Sequence, residues 1–459
     1  MRIKTSKLEF QEICKAIGSP RANKCGSIEY VTTNSKEVLP GDLFFALKGD
    51  KYDGEDFSTE AKEKGAFVVS KNPEIADFLV ADTEKALLDL ASYRKKGIKS
   101  LKSAIAITGS VGKTTTKNII SKMLSPFFTV HSTSENENNA IGVAITLLSI
   151  PEDAEILVVE LGMNHRGEIK ILSEAVKPDI SIITTIGNAH VGNLGSPDMI
   201  IKEKLSVLEG MDNPLLISSY YSHNIPEDCK SIFISLDNPA ADYQIKIKKL
   251  SKDGSDFQVL YGDNEFLDLH TDIPGEHVLT AITYGITVSF LLGLTKDDVY
   301  AGIKNLNADC TRGKLISLSD FSIYDDTYSS SPEAVIADLK LLSLYKNQKS
   351  CMLGDMLECG SMTKELHESI GKAAYSYGAR RLYLYGVYAP FIACGAKSMG
   401  MKNEDIFINT DIPSPEITAH QILNNHDKDE IILFKASNKL RAHRIIDILK
   451  REIILKSKG

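Results

Sequence analysis

A lysine preceded by two glycines and followed by three threonines, in IAITGSVGKTTTK at 105–117, is where this chain has the residues for phosphate chemistry. The apolar run Ala104 to Ile107 reads as a buried strand. It meets a turn carrying Gly109 and Gly112, and a helical pattern follows. Glycines let backbone N–H groups approach an anion, and the helix N-terminus adds partial positive charge. Lys113 can reach the outer phosphates of a nucleoside triphosphate, and the Thr114 hydroxyl can ligate Mg²⁺. The spacing is G-x-x-G-K-T: the glycine that usually stands six residues before the lysine is replaced by Ile107. Gly109, Ser110, Gly112, Lys113, Thr114 and Thr115 are the expected ATP contacts.

Other polar groups fall at the ends of apolar runs. ILVVEL ends in Glu160, placed to hold Mg²⁺ with Thr114, since hard cations prefer oxygen ligands. ISIITTIGNAH ends at His190, which by itself reads as structural as readily as ligating. SENENNAIG offers Asn136, Asn138 and Asn139 before a helix; such clusters mark turns and can also position phosphate oxygens. Lys202 and Lys204 lie on one helical stretch. Arg312 sits in DCTRGK, where a guanidinium can reach across a cleft to a phosphoryl oxygen. Asp325 and Asp326 close FSIYDD, in reach of a ribose or a Mg²⁺-bound water, and Lys435 closes IILFK at the mouth of the third domain, where it is expected to meet substrate.

The elements that must position these groups fall into three segments. Residues 1–98 carry short strands broken by Gly and Pro. Residues 99–312 begin with the phosphate loop and alternate strands with helices, as in a mostly parallel sheet covered on both faces. Residues 313–459 alternate again, as a second, smaller doubly wound sheet. The expectation is an α/β chain of three domains, and ligands of such sheets bind at the carboxyl ends of the strands. A length of 459 residues suits about three cores. The balance of 53 basic and 61 acidic residues gives −8, which suits neither a general nucleic-acid nor a membrane surface. Val278 to Leu294 is apolar but short and interrupted by Thr, Tyr, Ser and Gly, so it reads as a buried helix. MRIKTSKLEF has no apolar signal region. Seven cysteines without a C-x-x-C pair suit a reducing cytoplasm.

The ordered set TGSVGKTTTK, NENNAIGVAITLL, VVELGMNHRGEI, IGNAHVGNLGS, IKEKLSVLEGM, YDDTYSSSPEAV, LGDMLECG with His367, and IILFKAS resembles the Mur ligase family across essentially the whole chain. VTTNSKEVLPGDLFFALKGDKYDGEDF looks like the UDP-sugar-binding domain of that family. The resemblance implies a small α/β UDP-binding domain, a central P-loop ATPase-like domain and a C-terminal Rossmann-like domain that receives the incoming amine. It implies ATP-dependent amide synthesis through an acyl phosphate. The substrates it points to are UDP-N-acetylmuramoyl-tripeptide and D-alanyl-D-alanine, used by a cytoplasmic monomer. By the same resemblance Asn139 bridges metal and phosphate, and His190 helps hold a second Mg²⁺. Lys204 is carbamylated, and Arg312 and Asp326 meet the γ-phosphate and the ribose. Ser35, Lys36, Asp53 and Gly54 bind the uridine nucleotide.

Departures from the family pattern cluster away from the phosphates. Val278 and Ala281 replace asparagines near the base, Ser329 and Ser331 replace asparagines after Asp326, and Ala436 and Asn438 replace Gly and Arg. Glu135 replaces a Gly, and Ser206 a Glu. They keep two alternatives open: a paralogous ligase with another amine or acyl substrate, or an ATP-binding relative without turnover.

Overall fold

The computed structural model describes residues 1–20, 25–49, 51–135, 137–189, 191–220, 225–262 and 265–456. They form three sheets, of five, nine and six strands.

In the central sheet the buried strand Ser103–Thr108 lies between Ile156–Glu160 and Ile180–Ile183, all parallel. Its alternation divides two cores: Ala104 and Ala106 face one, Ile105 and Ile107 the other. Both faces are buried, so the strand reads as a continuous apolar run. Beyond Leu215–Ser218 and Lys230–Ser235 the sheet turns antiparallel through Tyr243–Ser251, Gly254–Tyr261 and Glu265–Thr271. This hairpin extension was not expected from the βα alternation.

The first sheet runs Arg2–Glu9, Ser27–Thr32, Leu43–Phe45, Phe67–Ser70, Phe78–Leu79, with only the first pair antiparallel. Its core is continuous with one face of the central sheet, because helix Thr83–Lys96 packs on helix Ala140–Leu148. Asp82 caps that first helix by accepting from Glu84 N and Lys85 N, and Gly97 stands at its C-cap.

The third sheet is ordered Lys314–Ser317, Phe321–Asp326, Glu430–Lys435, Lys349–Gly354, Arg381–Tyr385, Ile406–Asn409, parallel except for its first edge strand. Ser196 and Ser331 each cap a helix that begins with proline, Pro197–Leu205 and Pro332–Ser343. All but the last three residues of the apolar stretch from Val278 lie within helix Glu276–Leu291, which is largely buried. Among the described residues no helix is long and apolar enough to cross a membrane.

Candidate active site

A cleft of about 790 Å³ opens between the central and third sheets, at the carboxyl ends of their parallel strands. That volume suits a nucleotide-sized ligand. Its rim is joined by contacts from both sides. Asn188 N donates to Glu333 Oε1 at 2.8 Å, Gly192 N to the Glu358 carbonyl at 2.8 Å, and Lys340 pairs with Glu276 at 3.2 Å.

The phosphate loop is held in shape from behind. Gly109 has φ 148°, and a Cβ there would fall 2.0 Å from Thr184 Oγ1; Gly112 has φ 88°. Thr184 Oγ1 donates to the Val111 carbonyl at 2.6 Å. Val111 N donates to Thr185 Oγ1 at 3.0 Å and Ser110 N to the Thr185 carbonyl at 2.8 Å. The two threonines thus fix the loop for any anion it cradles, a role that nothing in their local sequence announced. Lys113 Nζ folds back onto the Gly109 carbonyl at 2.8 Å. Burial lowers its pKa; Glu160 opposes that effect and Arg312 adds to it.

Glu160, 1% exposed, stands opposite. Its Oε2 accepts from Thr114 Oγ1 at 2.8 Å and its Oε1 from Asn138 Nδ2 at 2.8 Å, while its N–H donates to Thr133 Oγ1 at 3.0 Å. Lys117, one turn past Lys113, anchors the same neighbourhood by donating to the Thr133 carbonyl at 2.5 Å. Arg312 Nη2 donates to Thr114 Oγ1 at 2.5 Å, and its guanidinium lies 4.2 Å over the Tyr328 ring. The donor set fits a hard cation: a buried carboxylate whose hydrogen-bond partners are a hydroxyl and an amide can exchange them for a metal. Among the described residues no three His, Cys, Asp or Glu side chains gather into a metal cage. A cation here would therefore take further oxygens from a phosphate, as Mg²⁺ does at nucleotide sites.

The sequence placed Asn139 at the metal. The structure makes it the N-cap of helix Ala140–Leu148, accepting from Gly142 N at 2.9 Å. Its neighbour Asn138 is the asparagine on Glu160 and lines the cleft. A signal was available: a residue directly before an apolar helical run is the natural cap. His190 and Asn136 lie outside the described residues. Lys204 is 1% exposed, and burial holds its pKa well below the usual lysine value, with Lys113 adding to the effect and Glu203 opposing it. Glu203 itself accepts from Gly167 N at 2.8 Å and Ile169 N at 3.1 Å. Lys202, by contrast, is exposed.

Across the cleft the sequence-derived pair Asp326 and Lys435 come together, in register on adjacent strands. Lys435 donates to Asp326 Oδ2 and lies 2.9 Å from Asp338 Oδ2. The sequence puts it at the mouth of the third domain as a substrate contact; it lines the cleft, is 2% exposed and lies between two carboxylates. Asp325 is occupied locally, accepting from Thr327 N at 3.1 Å. His277 reaches the cleft from the first turn of helix Glu276–Leu291, its pKa lowered to about 4 by burial, with Asp326 opposing and Lys435 reinforcing. His367 is structural: its Nε2 accepts from Met356 N at 3.0 Å, which leaves the proton on Nδ1, 2.7 Å from the Thr363 carbonyl.

Of the departing positions, Ala281 and Ser329 line the cleft, Val278 is fully buried, and Ser331 caps its helix. Ala436 packs beneath Gly354, where a Cβ would lie 2.6 Å from its own. Ser35, Lys36, Asp53 and Gly54 are not on this cleft. They form two turns after the adjacent parallel strands Ser27–Thr32 and Leu43–Phe45. Lys36 N donates to Asn34 Oδ1 at 3.1 Å and Glu55 N to Asp53 Oδ1 at 3.1 Å. Gly54 is required by space, since a Cβ would meet the Leu47 carbonyl at 2.4 Å.

Comparison with known proteins gives a consistent result. The Mur ligase middle domain matches residues 107–288, and the Mur ligase family catalytic domain matches residues 27–103. The UDP-N-acetylmuramoyl-tripeptide–D-alanyl-D-alanine ligase of Bacillus subtilis is 31% identical over 439 residues, covering 91% of this chain and 92% of that protein. Its Rickettsia prowazekii counterpart is 30% identical, covering 92% and 95%. Among solved structures, MurF from Acinetobacter baumannii superposes with a TM-score of 0.87 at 25% identity, covering 98% of this chain and 100% of that one. MurF ligase from Thermotoga maritima in complex with ADP gives 0.81 at 25% identity, covering 93% and 98%.

Proposed function

This chain belongs to the Mur ligase family, and on that premise we infer that its cleft runs an ATP-dependent ligation. It joins D-alanyl-D-alanine to UDP-N-acetylmuramoyl-tripeptide in peptidoglycan precursor synthesis. The terminal carboxylate of the tripeptide attacks the γ-phosphorus of ATP, the bond to ADP breaks, and an acyl phosphate forms. The dipeptide amine then attacks the acyl carbon, losing a proton, and inorganic phosphate departs.

The observation that carries this reading is the convergence of Lys113, Thr114, Glu160 and Arg312 on one point of the cleft. Transfer of a phosphoryl group to a carboxylate brings negative charges together, so it needs charge neutralisation and positioning more than covalent help. The loop N–H groups and Lys113 would hold the phosphates, with Ser110, Gly112 and Thr115 shaping the cradle. Lys113 is tethered only to a carbonyl oxygen, so it can turn to a phosphate without breaking an ion pair. Arg312 would move from the Thr114 hydroxyl to the γ-phosphate. Thr114 and Glu160 would hold Mg²⁺, which when bound neutralises charge on the outer phosphates.

A second metal position would draw on His190 and on a carbamate at Lys204. The support is chemical: burial makes the Lys204 amine give up its proton more readily, and an amine without that proton can add carbon dioxide, lose a further proton and become a carbamate anion. Asn138, rather than Asn139, would orient the Glu160 carboxylate. Asp326 would accept the ribose hydroxyls. Ser35, Lys36, Asp53 and Gly54 would take the uridine nucleotide, supported by their place after parallel strand ends. The third sheet would receive the dipeptide. The rim contacts from Glu333 and Glu358 favour a closed cleft that keeps water from the acyl phosphate. A monomeric enzyme is part of the same proposal. A cytoplasmic location agrees with the scattered cysteines.

The test is phosphate release with ATP, Mg²⁺ and UDP-N-acetylmuramoyl-tripeptide, with and without D-alanyl-D-alanine. Release that requires the dipeptide, with the matching product mass, is expected. Release with other amines but not this one would assign a different acceptor, and binding of ATP without release would overturn the ligase reading.

A further inference from the structure

The Lys435 ammonium is buried at the end of its strand and has one carboxylate more than it needs. Asp326, on the neighbouring strand, would satisfy it alone. Asp338 comes from a different element, helix Pro332–Ser343, where it is 7% exposed among Val335, Leu339 and Leu342 on the core side. A charged residue on the apolar side of a helix is rare unless it is paired. All three groups line the same cleft as the phosphate loop.

The two carboxylates differ. Burial pushes Asp338 up to about 7, with Lys435 opposing and Asp326 adding to the rise, whereas for Asp326 burial is offset by the charge and hydrogen bond of Lys435 together with Asp338 and Arg312, and the pKa is lowered. Asp326 is thus the anionic partner, and Asp338 the one whose charge adjusts to its surroundings. If Asp326 were the sole partner, a ribose could reach it only by stripping a buried ammonium of its counter-charge, which is strongly unfavourable.

We propose that Asp338 is a positioning residue for the nucleotide: it holds the Lys435 ammonium when Asp326 turns to the vicinal diol of the ribose, so that Asp326 is free to accept those hydroxyls. The inference rests on the reading that Asp326 meets the ribose. It goes beyond that reading in assigning the adjustment to a residue that touches no part of the nucleotide. Asp338 acts as the sugar binds, so its loss acts on ATP affinity and on ribose discrimination rather than on chemistry at the γ-phosphate.

The experiment measures KM for ATP, 2′-deoxy-ATP and 3′-deoxy-ATP in the full-length chain and in Asp338→Asn, Asp338→Ala, Asp338→Glu and Asp326→Asn. Melting curves confirm that each variant folds; Asn keeps the volume, and Ala stands in should Asn perturb packing. In Asp338→Asn the KM for ATP should rise about tenfold. The penalty for a missing hydroxyl should shrink, kcat and the KM for UDP-N-acetylmuramoyl-tripeptide should hold, and Asp338→Glu should restore part of the loss. A merely structural role would move all substrates together and leave the deoxy-ATP ratio as in the parent; that result overturns the proposal. So does a parent-like KM and ratio in Asp338→Asn while Asp326→Asn loses discrimination. If Asp326→Asn keeps full discrimination, the ribose assignment itself falls, and the proposal with it.

Discussion

The two ends of the cleft hold a lysine in opposite ways, half-buried at one and buried at the other. At the phosphate end, Lys113 donates to a backbone carbonyl, and the carboxylate nearby, Glu160, is held by a hydroxyl and an amide. At the far end, Lys435 lies between two carboxylates, Asp326 and Asp338. A neutral tether is exchanged at little cost when a polyanion arrives, whereas an ionic one in a low-dielectric setting is not. The first arrangement therefore suits a group that must move to its ligand. The second suits a group that must stay put and organise others. Both lysines are at the carboxyl ends of parallel strands or just beyond them, so position in the fold alone does not distinguish their roles; their partners do.

Breaking the phosphate end should show in rate and leave the fold intact. Lys113→Ala, Glu160→Ala and Lys204→Ala should each lower kcat/KM by ~10²–10³-fold or more, the scale for removing a preorganised charge-stabilising group. Melting temperatures should stay near the parent value, because none of the three leaves a buried ion pair broken. Steady-state phosphate release and thermal melts, read together, decide it; unchanged turnover in Glu160→Ala would mean that the reacting phosphate lies elsewhere.

Breaking the far end should instead show in stability. Lys435→Ala leaves Asp326 and Asp338 facing each other without their cation, a loss on the order of 3 kcal/mol. Denaturant titration of the parent and the variant measures it. A variant that melts like the parent but has lost turnover would erase the contrast between the two lysines.

The smallest effects sharpen the contrast within one loop. Asn138→Ala should lower turnover about tenfold by leaving Glu160 less well oriented, with little change in stability. Asn139→Ala should leave turnover alone and cost about 1 kcal/mol of stability, the usual price of a lost N-cap. Parallel kinetics and melts on the two variants separate the roles; the reverse pattern would return the site to Asn139.

Much of the phosphate end was legible in the sequence because its parts are local. A buried strand, two glycines that must take positive φ, a lysine and a threonine are contiguous, and Glu160 closes an apolar run that can only be a central strand. The asparagine pair was legible as a pair but not in its division of labour, which turns on which residue the next helix takes as its cap. Thr184 and Thr185 were not legible. They stand some seventy positions beyond the loop they brace, and nothing in SIITTI distinguishes a brace from an ordinary strand end. Asp338 left a faint mark as an acid on the apolar side of a helix. The hairpin extension from Tyr243 to Thr271 was hidden because strands of half-buried alternation look like loops between stronger signals.

By itself the sequence determined the three α/β units, the phosphate loop and the carboxylate at the end of the adjoining strand. Each follows from backbone rules acting over a few residues: periodicity, glycine conformation and capping. Only the tertiary structure decided which charged groups share a partner. Lys435, Asp326 and Asp338 are separated by up to 109 residues and brought together by parallel strand register and one helix crossing. Burial then sets their charges, because the cost of desolvation depends on every element packed around a group and not on its neighbours in the chain.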